Sequence, residues 1–204
     1  MTTTGAKVAL IACGAVAQDV AEIVERRGWA ADVHGVSSEL HMTPLEIAPA
    51  IERKLLDLLP RYERVVVVYG DCGTGGRLDG VLRRYPAARP AGVHCFQWYA
   101  GELVERFPHD IGIYVLTDWL VRNWERAVVR GLGLDRFPWL KDDYFGNLTR
   151  VLFVRQHPDP GLEAEARGIA AWMGKPLEIH DVGVGPLEAL LEPLIEEGVV
   201  DVHA

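Results

Sequence analysis

Two of the three cysteines occur in the same sequence setting, and that setting suits thiolate chemistry. Cys13 and Cys72 each follow a short apolar run and precede a glycine, and a helical pattern follows each of them. A thiol at the carboxyl end of a strand, facing a helix N-terminus, ionises readily and lies where parallel-sheet proteins bind ligands. The third cysteine, Cys95, has His94 beside it. The pattern predicts that three thiols converge on one metal centre, although free cysteines also commonly fill space in a core.

Two histidines are candidate ligands beside these thiols. His41 lies in the loop after the second predicted strand, on the same sheet edge, and His94 adjoins Cys95. Thiolate and imidazole together suit Zn²⁺, which takes four ligands and can leave one position for substrate. Three thiolates also suit an iron–sulfur cluster with one open iron. Because the ligands come from separate loops without a Cys-x-x-Cys spacing, both metals and both histidines stay open.

A glycine-rich loop at residues 70–77 follows the most apolar predicted strand and opens a helix. Its backbone N–H groups could hold a phosphate or carboxylate. The loop matches neither the P-loop nor the dinucleotide fingerprint, so a tight turn with positive φ is the alternative. The residues predicted to bind such a cofactor or substrate are Gly73, Thr74, Gly75, Gly76 and Arg77. Asp71 is a candidate catalytic base beside the thiol.

A second candidate catalytic carboxylate, Asp118, ends another predicted strand. Thr117 and Asp118 suit the cap of the following helix. The functional alternative places Asp118 and Trp119 in the pocket at the carboxyl edge of the sheet. Further along, residues 139–147 are rich in aromatic and acidic side chains. Aromatic residues favour interfaces, so this stretch is predicted either to close over a ligand, to form a subunit interface in a homo-oligomer, or simply to pack as a helix.

Strand-like and helix-like patterns alternate along the whole chain. The predicted strands are 6–12, 32–36, 64–69, 92–96, 111–116, 151–154, 177–181 and 199–203. The predicted helices are 15–27, 47–59, 77–84, 96–106, 118–129, 135–145, 162–173 and 187–197. This alternation predicts an α/β fold, Rossmann-like, with a mostly parallel sheet and helices on both faces. We expect one domain over residues 1–204.

The bulk composition restricts the class of partner. The net charge of −8 argues against nucleic acid and against anionic membrane surfaces. No apolar run approaches the roughly 20 residues of a spanning helix. Five apolar residues separate Lys7 from Cys13, too few for the h-region of a lipoprotein signal. We therefore expect a cytoplasmic protein with reduced thiols, in which an odd number of cysteines fits a metal or redox site better than disulfides.

Five motifs together resemble one bacterial and archaeal family known only as a domain of unknown function. They are Ala-Cys-Gly, Leu-His-x-x-Pro, Tyr-Gly-Asp-Cys-Gly-Thr-Gly-Gly, His-Cys and Tyr-x-Leu-Thr-Asp-Trp, spread over residues 8–154. Members are encoded near corrinoid-dependent methyltransferases that act on methylamines and betaines. The resemblance therefore implies a role in corrinoid- or folate-linked one-carbon metabolism. Many members carry a residue between the histidine and the cysteine of the fourth motif, whereas His94 and Cys95 are adjacent here.

Two functions of different classes follow. In the first, the chain is an enzyme or metal-centre protein whose zinc or iron–sulfur centre takes a substrate thiolate, methyl acceptor or electron. The sequence has no cobalamin-binding Asp-x-His-x-x-Gly run, so any corrinoid is expected on a partner. In the second, the chain is a non-catalytic accessory subunit that docks on a corrinoid protein or methyltransferase through residues 139–147. Its cysteines are then structural.

Overall fold

Strands and helices alternate in the computed structural model, which describes residues 7–105 and 112–197. The strands are β1 (Val8–Cys13), β2 (Ala31–Val36), β3 (Arg64–Val68), β4 (Ala87–Ala88), β5 (Ile113–Thr117), β6 (Arg150–Arg155) and β7 (Leu177–Asp181). The helices are α1 (Ala17–Arg27), α2 (Ile47–Leu58), α3 (Arg77–Leu82), α4 (Gln97–Glu105), α5 (Asp118–Arg122), α6 (Lys141–Phe145), α7 (Pro160–Met173) and α8 (Gly185–Glu192). None of the helices in the described ranges is long and apolar enough to cross a membrane.

All strand pairs are parallel, which confirms the predicted α/β class. Four strands form one sheet in the order β2-β1-β3-β4, and the other three form a second sheet in the order β5-β6-β7. Helices flank these strands, as in a Rossmann-like fold. The sequence predicted every one of these strands except β4, and it did not indicate that they divide into two sheets.

The chain separates into two compact units. Unit 1 comprises residues 1–98 and 184–204, and unit 2 comprises residues 99–183. Unit 1 contains the four-stranded sheet and α8, and unit 2 contains the three-stranded sheet. The expectation of a single domain over residues 1–204 is not tested by this division and stays a prediction.

The core of unit 1 is built around β1 and β3. Every residue of β1 and the four valines of β3 are buried. Such uninterrupted apolar strands belong in the middle of a parallel sheet that is covered on both faces. Helix α1 contacts β1 and β2, and α2 contacts β1 and β3. The connection from β1 to β2 and the connection from β2 to β3 run in opposite directions across the sheet. Because both connections are right-handed, α1 and α2 cover opposite faces of the sheet.

The order β2-β1-β3-β4 places the topological switch point between β1 and β3. The chain leaves β1 for β2 on one side and returns to β3 on the other, so the loops after β1 and β3 diverge and leave a crevice at the carboxyl edge. Cys13 is the last residue of β1, and Cys72 follows β3. The two Cys-Gly pairs therefore flank the switch point.

The core of unit 2 joins its sheet to α7. Leu116, Val151 and Phe153 from the strands pack with apolar side chains of α7 such as Leu162 and Met173. Helix α7 begins at Pro160, where the Asp159 side chain accepts hydrogen bonds from Gly161 N and Leu162 N, and it ends at Gly174 in the left-handed region. These are ordinary start and stop signals of a helix.

The strand predicted at 92–96 is wrong. The strand that pairs with β3 is the two-residue β4, which ends before Pro90. Proline lacks the N–H that a further ladder bond needs, and Gly92 then adopts a φ of +123°. Residues 92–96 form instead a loop, in which Gln97 Oε1 accepts hydrogen bonds from Val93 N and His94 N, both at 2.8 Å.

Two predicted helices of unit 2 are broken. The helix predicted at 118–129 consists of α5 and a separate π-helical segment, Glu125–Arg130. The break falls at Asn123, whose side-chain amide donates to the Trp119 carbonyl. The helix predicted at 135–145 is a 3-10 turn, Pro138–Leu140, followed by α6, because Pro138 fits only a first helical turn. The final strand predicted at 199–203 lies outside the described residues.

Candidate metal centre

Two cysteines and one histidine of unit 1 form a compact group that could hold a metal ion. The ligand atoms of Cys13, His41 and Cys95 all lie within 4.8 Å of one another. Cys72 Sγ lies 3.6 Å from Cys95 Sγ. The structure therefore brings three predicted thiols and one predicted histidine together at the switch point. All three cysteines are free.

Each ligand is presented by a different element of the sheet edge. Cys13 ends β1, with its neighbour Gly14 packed so closely that a Cβ there would meet Ser38 N at 3.1 Å and Val36 O at 3.2 Å. His41 lies in the 3-10 helix Ser38–Met42, whose first turn is capped by Ser37. Cys72 lies on the glycine-rich loop after β3, and Cys95 on the loop between β4 and α4.

A close approach of two loops joins Cys72 to Cys95. Cys72 N donates to the Val93 carbonyl at 3.0 Å. A Cβ on Gly70 would lie 2.9 Å from Val93 O, 3.1 Å from Cys72 Sγ and 3.1 Å from Cys95 N. Glycine is therefore the residue that lets these backbones pack side by side.

His41 is oriented by a second hydrogen bond behind the site. Its Nδ1 donates to the Ser38 carbonyl at 2.8 Å, and because a carbonyl only accepts, Nδ1 carries the proton. Nε2 is then directed away from Ser38, toward the thiols. A backbone carbonyl in this position is the usual partner of a metal-ligating histidine. The imidazole also stacks on Tyr69, with ring centroids 5.8 Å apart.

The three cysteines of this group have very different pKa values. Hydrogen bonding with Cys13 and Cys72, together with burial, raises the pKa of Cys95 well above the ordinary thiol value. The hydrogen bond with Cys95 lowers the pKa of Cys13 to about 7 against the effect of burial. The hydrogen bond with Cys95, helped by His41 and His94, lowers the pKa of Cys72 to about 3.

His41 provides the opposing charge. Burial lowers its pKa, but the hydrogen bond to Cys72 and the negative charges of Cys13 and Cys72 outweigh burial and raise the pKa to about 9. The metal-free group thus holds an imidazolium, a thiolate and a thiol in close contact. A cation that binds here displaces those protons and takes their place among the same donors.

His94 lies at the rim of the site. It is exposed, its ring stacks on Phe96 with centroids 5.2 Å apart, and its side chain hydrogen-bonds to Cys72. The compact group contains His41 but neither His94 nor Cys72, and Cys72 Sγ adjoins the group at Cys95 Sγ. The geometry thus favours His41 as the ligand, with His94 next to the most accessible thiol.

The predicted anion-binding loop satisfies its own polar groups. The Asp71 carboxylate accepts hydrogen bonds from the Thr74 hydroxyl, from Gly75 N at 3.1 Å and from Gly76 N at 2.9 Å. Burial alone would raise the pKa of Asp71, but the three donors and the charge of Arg89 outweigh burial and hold this pKa below its usual value. Gly73 and Arg77 are exposed on the same loop. A cofactor at Gly73, Thr74, Gly75, Gly76 and Arg77 stays a prediction, and it would have to displace Asp71 from two of these N–H groups.

Asp118 belongs to unit 2. Its carboxylate is buried and accepts hydrogen bonds from Gln156 N at 3.0 Å and His157 N at 2.8 Å. Burial raises its pKa despite these bonds. Thr117 caps α5 by accepting from Leu120 N, as the sequence suggested. These contacts join the end of β5 to the chain after β6 and leave a catalytic role for Asp118 or Asp71 as a prediction.

Sequence reasoning missed two residues of the site, Tyr69 and Gln97. Tyr69 is fully buried beside His41, and its hydroxyl has no hydrogen-bond partner of good geometry in the described part of the chain. Burial, followed by the charge of Cys13, raises its pKa, so the hydroxyl stays protonated. Gln97 closes the loop that carries Cys95. It accepts from His94 N, three residues earlier, as the Gln of a capping box does, but with His and not Ser or Thr at position 94 the sequence carries no such signature.

Residues 36–191 match the model of a protein family described as "Protein of unknown function (DUF1638)". The match includes His41, Cys72 and Cys95 and begins after Cys13. Neither the curated proteins nor the solved structures include a significant match to the chain. The match spans about three quarters of the 204 residues and confirms the resemblance to a family of unknown function. The chain belongs to the DUF1638 family.

Proposed function

We propose that Cys13, His41, Cys72 and Cys95 bind one zinc ion, and that the chain acts through it in corrinoid- or folate-linked methyl-transfer metabolism. The observation that carries the proposal is the compact group of Cys13, His41 and Cys95 at the switch point of unit 1, with Cys72 Sγ 3.6 Å from Cys95 Sγ. Three thiolates and one imidazole are a common ligand set of Zn²⁺ in proteins.

The distances favour a single ion over an iron–sulfur cluster. Two thiolates bound to one zinc at about 2.3 Å lie about 3.8 Å apart across a tetrahedral edge. The 3.6 Å between Cys72 Sγ and Cys95 Sγ is close to that value. In a [4Fe–4S] cluster each cysteine binds a different iron, which places the sulfurs farther apart. The imidazole of His41 in the same group also suits zinc better than the all-cysteine ligation of such clusters.

The proposed role in methyl transfer rests on the family resemblance and on zinc chemistry. Zinc would act as a Lewis acid that keeps a thiolate or another nucleophile ready to accept a methyl group. The corrinoid would be carried by a partner, and the chain would meet a corrinoid protein or a methyltransferase during the reaction.

Metal analysis after anaerobic purification tests the proposal. We expect a colourless protein with one zinc per chain, loss of that zinc in His41→Ala, and retention of it in the matched control His94→Ala. A brown protein that contains iron and sulfide would mean that the centre is an iron–sulfur cluster and not a zinc ion. A metal-free protein, or equal loss in both histidine variants, would reject the site. Transfer of a methyl group from a methylated corrinoid protein to a thiol by the zinc-loaded chain, and not by His41→Ala, then tests the reaction.

A second candidate function, an accessory subunit, is favoured by the exposed aromatic residues of unit 2. Phe137, Trp139 and Tyr144 are 42%, 68% and 49% exposed, and such side chains favour protein interfaces. Under this proposal Trp139→Ala abolishes co-purification with a corrinoid protein or methyltransferase, whereas Leu56→Ala, an exposed apolar residue of α2, does not. If both variants bind equally well, residues 139–147 are not the docking surface.

A further inference from the structure

We propose that Cys72 is the exchangeable ligand of this centre: Cys13, His41 and Cys95 retain the ion, and the thiolate of a small-molecule thiol takes the place of Cys72. This inference rests on the proposed zinc site and names both the position at which a substrate enters and the chemical class of that substrate.

The burial of the three cysteines separates Cys72 from the others. Cys13 is 0% exposed and Cys95 is 9% exposed, whereas Cys72 is only partly buried. Its neighbours on the loop, Gly73, Gly75 and Gly76, are exposed. Of the three sulfurs, that of Cys72 is the one that a molecule from solvent reaches first.

The backbone separates Cys72 as well. Cys13 is the last residue of β1, and the ladder with β2 pairs it with Val36. Cys72 lies beyond the end of β3 at Val68, and its φ of +48° is the only positive one of a non-glycine residue in the described ranges. Strained backbone of this kind is found mainly where function requires it.

The loop after Cys72 leaves open space on the solvent side of the site. Gly73, Gly75 and Gly76 all have positive φ, and a Cβ on Gly75 or Gly76 would meet nothing within 4 Å. Below the site, by contrast, Gly70 is tightly enclosed by the loop of Cys95. A small molecule therefore approaches Cys72 over glycines that carry no side chain, whereas Cys13 and Cys95 are buried.

The ligand chemistry selects a thiol as the incoming molecule. A site of sulfur and imidazole donors prefers soft ligands, and an anionic sulfur replaces the Cys72 thiolate without a change of charge. In the exchange, the bond between the metal and Cys72 Sγ breaks and a bond to the incoming sulfur forms. The incoming thiol loses its proton to water and binds as a thiolate, and Cys72 Sγ leaves the metal as a thiolate. Nothing is oxidised or reduced.

Cobalt substitution tests this exchange. The metal-free protein is loaded with one Co²⁺, and the intensity of the thiolate-to-cobalt absorption counts the bound sulfurs. In Cys72→Ser we expect one bound cobalt with the intensity reduced by about a third, and recovery of that third on addition of 2-mercaptoethanol but not of ethylene glycol. Cys13→Ser, the matched variant on the neighbouring strand, should lose tight cobalt binding altogether. If Cys13→Ser does not fold, His41→Ala takes its place.

The outcomes separate this inference from the metal site itself. If the wild-type protein binds no cobalt, the proposed function fails. If the wild type binds cobalt and Cys72→Ser loses cobalt as completely as Cys13→Ser does, only the proposed exchange is overturned. The exchange is also overturned if 2-mercaptoethanol restores no absorption to Cys72→Ser. A second measurement, iodoacetamide labelling of the zinc-loaded wild type, should modify Cys72 at least about tenfold faster than Cys13 and Cys95. Equal rates would contradict the proposal.

Discussion

Cys95 is the residue on which the other two thiols depend. Its hydrogen bonding with Cys13 and Cys72 is the largest cause of the lowered pKa of each. Cys95 is buried, and Gly70 and Gln97 contact the loop that carries it. The acidity of the partly buried Cys72 thiol therefore depends on a buried one.

Tyr69→Phe is expected to leave the free energy of unfolding of the metal-free protein unchanged or to raise it by up to about 1 kcal/mol. The substitution removes a buried hydroxyl that lacks a partner of good geometry. Denaturant unfolding of the metal-free protein measures this. Tyr85→Phe is the matched control, because the Tyr85 hydroxyl donates to Glu52 at 2.7 Å and its removal should lower stability. A loss in Tyr69→Phe as large as in the control would mean that the Tyr69 hydroxyl is satisfied.

Asp71→Asn is expected to lower the free energy of unfolding by about 1 kcal/mol near neutral pH. The amide replaces one of the oxygens that accept from Thr74, Gly75 and Gly76. Since the folded-state pKa of Asp71 lies below the ordinary 3.8, the stabilisation is complete above that pH and disappears as the pH falls through the lowered value.

Chemical denaturation of Asp71→Asn and the wild type across acidic pH checks this dependence. The difference between them should shrink in acid, and Asp57→Asn, which removes only an exposed ion pair with Arg61, should change stability by no more than about 0.5 kcal/mol. A gap for Asp71→Asn that persists below the lowered pKa would contradict the role assigned to the carboxylate.

The types of ligand in the site were largely predictable from single residues. Which histidine approaches the thiols, and which other side chains line the site, were not. Cys13, Cys72, Cys95 and His41 were identifiable because soft ligands at strand ends have a recognisable context. The choice of His41 over His94 depends on how two loops fold back on the sheet, which no spacing in the sequence encodes. The place of Tyr69 in the site could not be predicted either, because in the sequence Tyr69 is only the residue that ends an apolar run.

The strands and their loops place the site by topology. Because β1 and β3 are neighbours while β2 intervenes in sequence, two distant Cys-Gly pairs become adjacent. Buried strands such as β3 have a strong apolar signal, and their existence was predicted correctly. The loop at 92–96 was mistaken for a strand, because Val93, Cys95 and Phe96 look strand-like while Pro90, Gly92 and the Gln97 cap determine the actual turn.

Gly70→Ala is expected to separate the two loops that carry Cys72 and Cys95. The added methyl group would lie 2.9 Å from Val93 O, an overlap that should lower the free energy of unfolding by about 1–3 kcal/mol and weaken metal binding by about tenfold or more. Calorimetric metal titration and denaturant unfolding measure both effects.

Gly168→Ala in α7 is the matched control for Gly70→Ala. A Cβ there meets nothing within 4 Å, and alanine in a helix interior should raise stability by about 0.5–1 kcal/mol. If Gly70→Ala binds metal as the wild type does, the close approach of the loops is not needed for the site.

For the whole molecule, the last described helical stretch returns to unit 1. Arg27 of α1 forms ion pairs with Glu188, Glu192 and Glu196, and Trp29 Nε1 donates to Glu196 at 2.7 Å. The sequence showed the helix but not its destination, since ion pairs across more than 160 residues have no local pattern. The division of the strands into two sheets was unpredictable for the same reason.

Arg27→Ala is expected to lower the thermal midpoint of the protein at low salt, because Glu192 and Glu196 then lose their cation and Glu188 keeps only its ion pair with Arg26. The effect should fade at high salt, since these groups are largely exposed and their interactions are screened. Thermal scans at two ionic strengths measure it, with the exposed Arg53 of α2 changed to alanine as the control. A loss that is independent of salt would mean that Arg27 acts by packing and not by charge.

The most direct test of the account is X-ray absorption at the zinc edge of the anaerobically purified protein. The account predicts one zinc per chain with three sulfurs at about 2.3 Å and one nitrogen at about 2.0–2.1 Å, assigned to Cys13, Cys72, Cys95 and His41. A first shell of oxygen and nitrogen only, or an iron spectrum with short iron–iron scattering, would contradict it.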